Sequence, residues 1–140
     1  MITYFDSSSL VKFVITEIGS KQNLNIWNLS SEKVTSQLAR TEMHSTLMRR
    51  VREGSMPASA VRGRLDAMHK LFADVVLVDI SSEVIDASCA VVQASSLKSA
   101  DAIHLATALM VRADLFSSSD KKLCAAASES GIAVTDPTEG

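Results

Sequence analysis

Short apolar runs of strand length alternate with longer stretches of helical period along the whole chain, and no other feature restricts the fold as much. Ile2–Phe5, Lys33–Thr35, Val75–Val78, Leu115–Ser117 and Ile132–Val134 read as strands, the third of them as a buried one. Strands separated by helix-length segments are joined by crossovers, so the pattern predicts an α/β domain with a parallel sheet. The intervening helices are expected over Asp6 to Val14, Lys21–Leu29, Gln37–Glu53, a segment reaching Phe72, Ser82–Ala94, Ser99–Met110 and Lys121–Ser128. In the third of these, Ala39, Met43, Leu47 and Val51 recur on one face. Gly54-Ser55-Met56-Pro57 stops that helix and starts the next, since Gly suits a helix end and Pro a first turn. Ser81 or Ser82 and Ser99 are expected to cap the fifth and sixth. Residues 102–109 are apolar on nearly every side, which marks a central buried helix.

A length of 140 residues leaves room for one core, so a single domain is expected over 1–140, with its core at about 2–135 and a short tail at 136–140. No window approaches the roughly 18 apolar residues of a membrane span and no leader pattern opens the chain, so a cytoplasmic protein without membrane association is expected. Cys89 and Cys124 lack zinc-ligand spacing, and each is expected to pack as a small hydrophobe. The net charge of -2 argues at first against a nucleic-acid partner. Its distribution reverses that inference. Residues 40–70 carry seven basic against three acidic residues, a local +4, while the rest of the chain is at -6. An Arg-rich helical arm can bind RNA phosphates, with Arg40, Arg49 and Arg50 as candidates. Few aromatic residues are present, so stacking on many exposed bases is not expected.

Ligands of open parallel sheets collect at the carboxyl ends of the strands. Asp6 follows the first strand, Asp120 lies just beyond the fourth, and Asp101 sits in the first turn of the central apolar helix. Each could simply cap a helix or complement its dipole. Glu42 fits that explanation poorly, because it lies in the second turn close to the core stripe, with Arg49 too far along the axis to pair with it. A half-buried carboxylate without a visible partner suggests a cation, although an unseen Arg or Lys would also serve. Three or four carboxylates in one cleft repel one another, and a hard divalent cation offsets that charge. Oxygen-only ligands favour Mg²⁺ or Mn²⁺ over zinc and suit phosphodiester hydrolysis.

Four segments together carry a family resemblance: Asp6-Ser7-Ser8-Ser9-Leu10-Val11-Lys12, Ala39-Arg40-Thr41-Glu42, Ser99-Ala100-Asp101-Ala102-Ile103-His104-Leu105-Ala106-Thr107-Ala108, and Ser118-Ser119-Asp120-Lys121-Lys122-Leu123. In this order and spacing they resemble the PIN-domain ribonucleases, specifically the VapC-type toxins of toxin-antitoxin modules, over nearly the whole chain. The resemblance implies a three-layer α/β/α sandwich and a Mg²⁺- or Mn²⁺-dependent endoribonuclease. It further implies a homodimer inhibited by a cognate VapB-type antitoxin. It assigns Asp6, Glu42, Asp101 and Asp120 as the catalytic, metal-holding quartet, with Ser7 and Ser118 in support. Ser118 stands where the family often has Thr, and the hydroxyl is kept.

Met43, Met48, Met56 and Met68 crowd the helical arm, either filling core gaps or offering an adaptable groove to a partner helix. His104 follows Asp101 by three residues and reads as a core or capping histidine, outside the quartet. Two rival functions fit less well. A receiver or phosphatase-like phosphoryl-handling domain wants a second acid beside or two residues from the first, where Ser7 and Ser8 stand. In a catalytically inactive α/β binding module the acids would only cap helices.

Overall fold

The first apolar run folds as β1 (Ile2–Phe5), buried from Thr3 onward. Asp6 ends it by turning its carboxylate back onto the Ser9 amide, which caps α1 (Ser7–Leu10). The chain continues through a 3₁₀ turn at Val11–Phe13 into α2 (Ser20–Leu29), β2 (Glu32–Ser36), α3 (Leu38–Arg52), a second 3₁₀ turn at Ala58–Ala60, α4 (Val61–Ala73) and β3 (Val76–Val78). Then follow α5 (Ser82–Ala94), α6 (Ser99–Met110), β4 (Leu115–Ser117), α7 (Lys121–Glu129) and β5 (Ala133–Thr135). The computed structural model describes Met1–Glu139.

All strand pairs are parallel, and the order is β3-β2-β1-β4-β5. The chain therefore winds outward from β1 in one direction, then returns to lay β4 on the other side of β1. That reversal makes the boundary between β1 and β4 the topological switch point, where a crevice opens beyond the strand ends. Tyr4 pairs with Phe116 across it in register, and their rings stack with centroids 5.3 Å apart.

Alternation along β1 splits the core into two layers. Tyr4 joins Ala102, Leu105 and Ala108 of α6 with Leu123 and Ala127 of α7. Its neighbour Phe5 joins Leu10, Ala39, Met43, Leu47 and Met68 on the other face, against α1, α3 and α4. The result is the three-layer α/β/α sandwich. The 102–109 segment is the buried helix its composition predicts, with Ala102, Leu105, Ala106 and Ala108 all 1% exposed or less.

Several expectations need correction. The third strand lies at the sheet edge, so Val76 is 47% exposed rather than buried. Lys98, not Ser99, is the N-cap of α6, and no side chain caps that end. Cys89 is exposed on α5, because it falls on the face turned away from α6. Of the four methionines of the arm, Met43, Met56 and Met68 do fill the core, as the first of the two readings has it, and Met48 is exposed. Gly19 is required by geometry: its φ is +93°, and a Cβ there would stand 2.8 Å from the Pro137 carbonyl oxygen. No helix among the described residues is long and apolar enough to cross a membrane.

Candidate active site at the sheet switch point

Asp6 sits at the floor of the crevice with 4% exposure. Its Oδ1 accepts from Ser8 Oγ at 2.7 Å and from the Ser9 amide at 2.9 Å, and its Oδ2 accepts from Ser118 Oγ at 2.6 Å. Ser118 Oγ also accepts from the Asp120 amide at 3.0 Å, and Ser8 Oγ accepts from the Ser119 amide at 3.0 Å. Two serines thus tie the loop after β1 to the loop after β4. Ser7 plays a different part: it lines a neighbouring pocket with Lys12 and Arg50, while Ser8 makes the bond to Asp6.

Asp120 is the N-cap of α7, and its Oδ1 accepts from the Leu123 amide at 3.0 Å. Asp101 projects from the first turn of α6, half-buried, and no hydrogen bond holds its carboxylate among the described residues. Glu42, from the second turn of α3, does have a partner: His104 Nε2 lies 2.5 Å from its Oε1. The other ring nitrogen of His104 lies 2.6 Å from the Tyr4 hydroxyl, which in turn accepts from the Ser36 amide at 3.2 Å. An ionised Glu42 can only accept, so Nε2–H donates to it and, in the neutral ring, Nδ1 accepts from Tyr4. A buried relay from the sheet therefore aims Glu42. Burial drives the Tyr4 phenol far above its usual range and keeps it a donor. The unseen partner is a histidine rather than the Arg or Lys considered from sequence. The pair is 62 positions apart, so the sequence held no local signal for it.

Burial raises the Asp6 carboxyl above the ordinary carboxylate value, against the opposing influence of His104 and of the Ser118, Ser8 and Ser9 hydrogen bonds. Asp101 is raised too, first by burial and next by the charge of Asp120, with Asp6 and Glu42 adding to it and His104 opposing. Asp101 is therefore the acid that feels the charge of the other three. No three His, Cys, Asp or Glu side chains among the described residues are gathered tightly enough to hold a metal ion. Asp6, Glu42 and Asp120 instead spend oxygens on hydrogen bonds within the protein. The donor set still fits a hard divalent cation in its chemistry, being all oxygen and carrying mutual repulsion that a cation would relieve.

The candidate RNA-binding arginines separate. Arg49 and Arg50 line the pocket beside Ser7 and Ser8, whereas Arg40 lies on another cavity of about 410 Å³ with His44, Met68, His69 and Phe72.

A three-layer α/β/α fold with acids converging at the switch point of a parallel sheet defines a class of acidic-cleft proteins. Residues 3–129 match the model of the PIN domain family, and the chain belongs to that family. It is 29% identical over 110 residues to Ribonuclease VapC45 of Mycobacterium tuberculosis (strain CDC 1551 / Oshkosh), covering 79% of this chain and 76% of that protein. Ribonuclease VapC49 of strain ATCC 25618 / H37Rv matches with the same identity and coverage. Among solved structures, a toxin-antitoxin complex from Klebsiella pneumoniae superposes with a TM-score of 0.69 at 23% identity, over 96% of this chain and 97% of that one. VapBC2 from Rickettsia felis, bound to a DNA fragment from its promoter, superposes with a TM-score of 0.70 at 9% identity, over 97% and 98%.

Proposed function

We propose that this chain is a VapC-type toxin: a Mg²⁺- or Mn²⁺-dependent endoribonuclease restrained by a cognate VapB-type antitoxin. What supports the reading is a set of contacts that draws the acid-bearing segments together: Ser118 Oγ bonds both Asp6 and the Asp120 amide, and His104, three residues after Asp101, bonds Glu42. The Asp101 carboxyl is raised accordingly, first by burial and then by the charges of Asp120, Asp6 and Glu42. The relatives named as ribonucleases and the likeness in fold to toxin-antitoxin complexes support it.

Asp6, Glu42 and Asp101 would hold the cation, with Asp120 completing its surroundings. When bound, a divalent cation supplies Lewis acidity that makes water a nucleophile at neutral pH and offsets charge on the phosphate. The chain's own residues set the geometry. Ser8 and Ser118 fix both Asp6 oxygens, His104 aims Glu42, and Ser118 joins Asp6 to the backbone of Asp120. Asp101 has no hydrogen-bond partner among the described residues and is the acid most available to a ligand. The larger groove beside Arg40, floored by Leu65, Met68 and Phe72, suits an amphipathic antitoxin helix. Homodimer formation belongs to the same proposal.

The test is cleavage of a structured RNA pool with Mg²⁺ present, by the wild type and by Asp101→Asn, with 5′ ends mapped. New ends from the wild type alone are expected. Equal cleavage by the variant would remove the acids from the mechanism.

A further inference from the structure

We propose that a cationic pocket next to the acidic crevice is a phosphate-binding subsite for the RNA strand, formed by Lys12, Arg49 and Arg50 and held in shape by Glu17. The identity of the strand rests on the ribonuclease reading. The pocket has a volume of about 240 Å³ and adjoins the crevice through Ser8, which lines it and bonds to Asp6. That is smaller than the roughly 300 Å³ at which clefts for drug-sized ligands begin. It suits a phosphate and part of its sugar rather than a whole cofactor.

The construction is unusual for a surface ion pair. The Lys12 side chain is only 5% exposed, and its Nζ donates to Glu17 Oε1 at 2.9 Å and to the Ser8 carbonyl at 3.2 Å. Glu17 Oε2 accepts from Arg50 Nη2 at 2.7 Å, so one carboxylate clasps two cations that come from different segments. Arg49 is 56% exposed and only loosely held by Glu53 at 3.9 Å. Within the pocket three cations face one carboxylate. Lys12 keeps an ammonium donor over, and the Arg50 guanidinium keeps several.

Stability does not account for this arrangement. Burying a lysine is costly, and a buried ion pair is often no more stabilising than apolar residues of the same volume. A preorganised excess of donors does match an anion, since charge-assisted bonds from Arg and Lys are the usual grip on phosphate. The same Ser8 whose carbonyl accepts from Lys12 gives its hydroxyl to Asp6. A neighbouring phosphate of the strand held by the cations would therefore lie one residue's width from the acids.

The test measures binding of a short fluorescent RNA by anisotropy in excess chelator, across a series of NaCl concentrations, using the full chain. Arg49→Gln and Arg50→Gln are each expected to weaken binding roughly tenfold and to reduce the salt slope by about one ion. Arg52→Gln removes the same charge from an exposed site outside the pocket and is expected to change binding by less than about twofold. Lys12→Met adds to the case if it folds, but Arg49→Gln alone suffices, because that side chain is exposed. Equal weakening by all three arginine variants, or no RNA binding by the wild type, overturns the subsite. If RNA is cleaved normally while Arg49→Gln and Arg50→Gln bind like the wild type, the subsite fails and the ribonuclease reading stands. If RNA is bound through these residues but never cleaved with Mg²⁺, the subsite stands and the ribonuclease reading fails.

Discussion

Asp101 sets site chemistry against stability at a single residue. Burial, then Asp120, raises its carboxyl above the ordinary value, so the folded state binds that proton more tightly than the unfolded chain. Its contribution to stability is then most favourable at acid pH and declines as pH rises from the ordinary carboxylate value through the raised one. Asp101→Asn removes the burdened charge. We expect its Tm at pH 7 to exceed that of the wild type, with the gap closing as pH falls toward 4; a lower Tm at pH 7 would contradict this. Asp6 is a less clean target, because its carboxylate also caps α1 and joins two loops. The two cysteines offer a second check. Burial, with Asp6 next, pushes the Cys124 thiol up to about 11, and its Sγ donates to the Ser118 carbonyl, while Cys89 is exposed. At pH 8 an alkylating reagent should label Cys89 rapidly and Cys124 slowly, as read by mass spectrometry. Equal rates would indicate that the loop after β4 opens readily.

At the scale of elements, α6 bears most of the packing and part of the site. Leu105 is 1% exposed within the layer that holds Tyr4 and Phe116, so Leu105→Ala should cost about 2–5 kcal/mol in denaturant unfolding. A loss below about 1 kcal/mol would mean that the helix does not anchor its layer. The same helix was the easiest element to read from sequence, since an all-round apolar segment has only one comfortable place. The strand ends were legible for a related reason: Asp6 and Asp120 each follow an apolar run and open a helix. What could not be read were contacts between distant segments. Glu42 and His104 lie 62 positions apart, and Glu17 and Arg50 lie 33 apart. Neither pair has a local pattern, so a carboxylate that seemed unpartnered in its own helix has a partner on another. The buried knot in which Asn23 bonds to Ser9 and Ser117 was hidden in the same way, because its partners lie 14 and 94 positions away. Edge position escaped as well, since Val76 belongs to an apolar run whether or not a further strand covers it.

For the whole molecule, one topological event organises both fold and site. The return of the chain from β3 to β4 opens the crevice beside β1, and β1 and β4 deliver Asp6 and Asp120 to it. Charge follows the same plan, with acids in the crevice and cations of the first 3₁₀ turn and α3 beside it, a separation that the net -2 conceals. If the acids hold a divalent cation, millimolar Mg²⁺ should raise the Tm of the wild type, by a stabilisation of about 2.7 kcal/mol at a hundred times Kd. Asp101→Asn should gain less. An unchanged wild-type Tm would instead favour a binding module in which the acids only cap helices. The most direct test of the ribonuclease reading is RNA cleavage by purified full-length chain in Mg²⁺, in excess chelator, and with Asp101→Asn. Discrete new 5′ ends only from the wild type in Mg²⁺ are predicted, and intact RNA there, or the same ends from the variant or in chelator, would contradict the account.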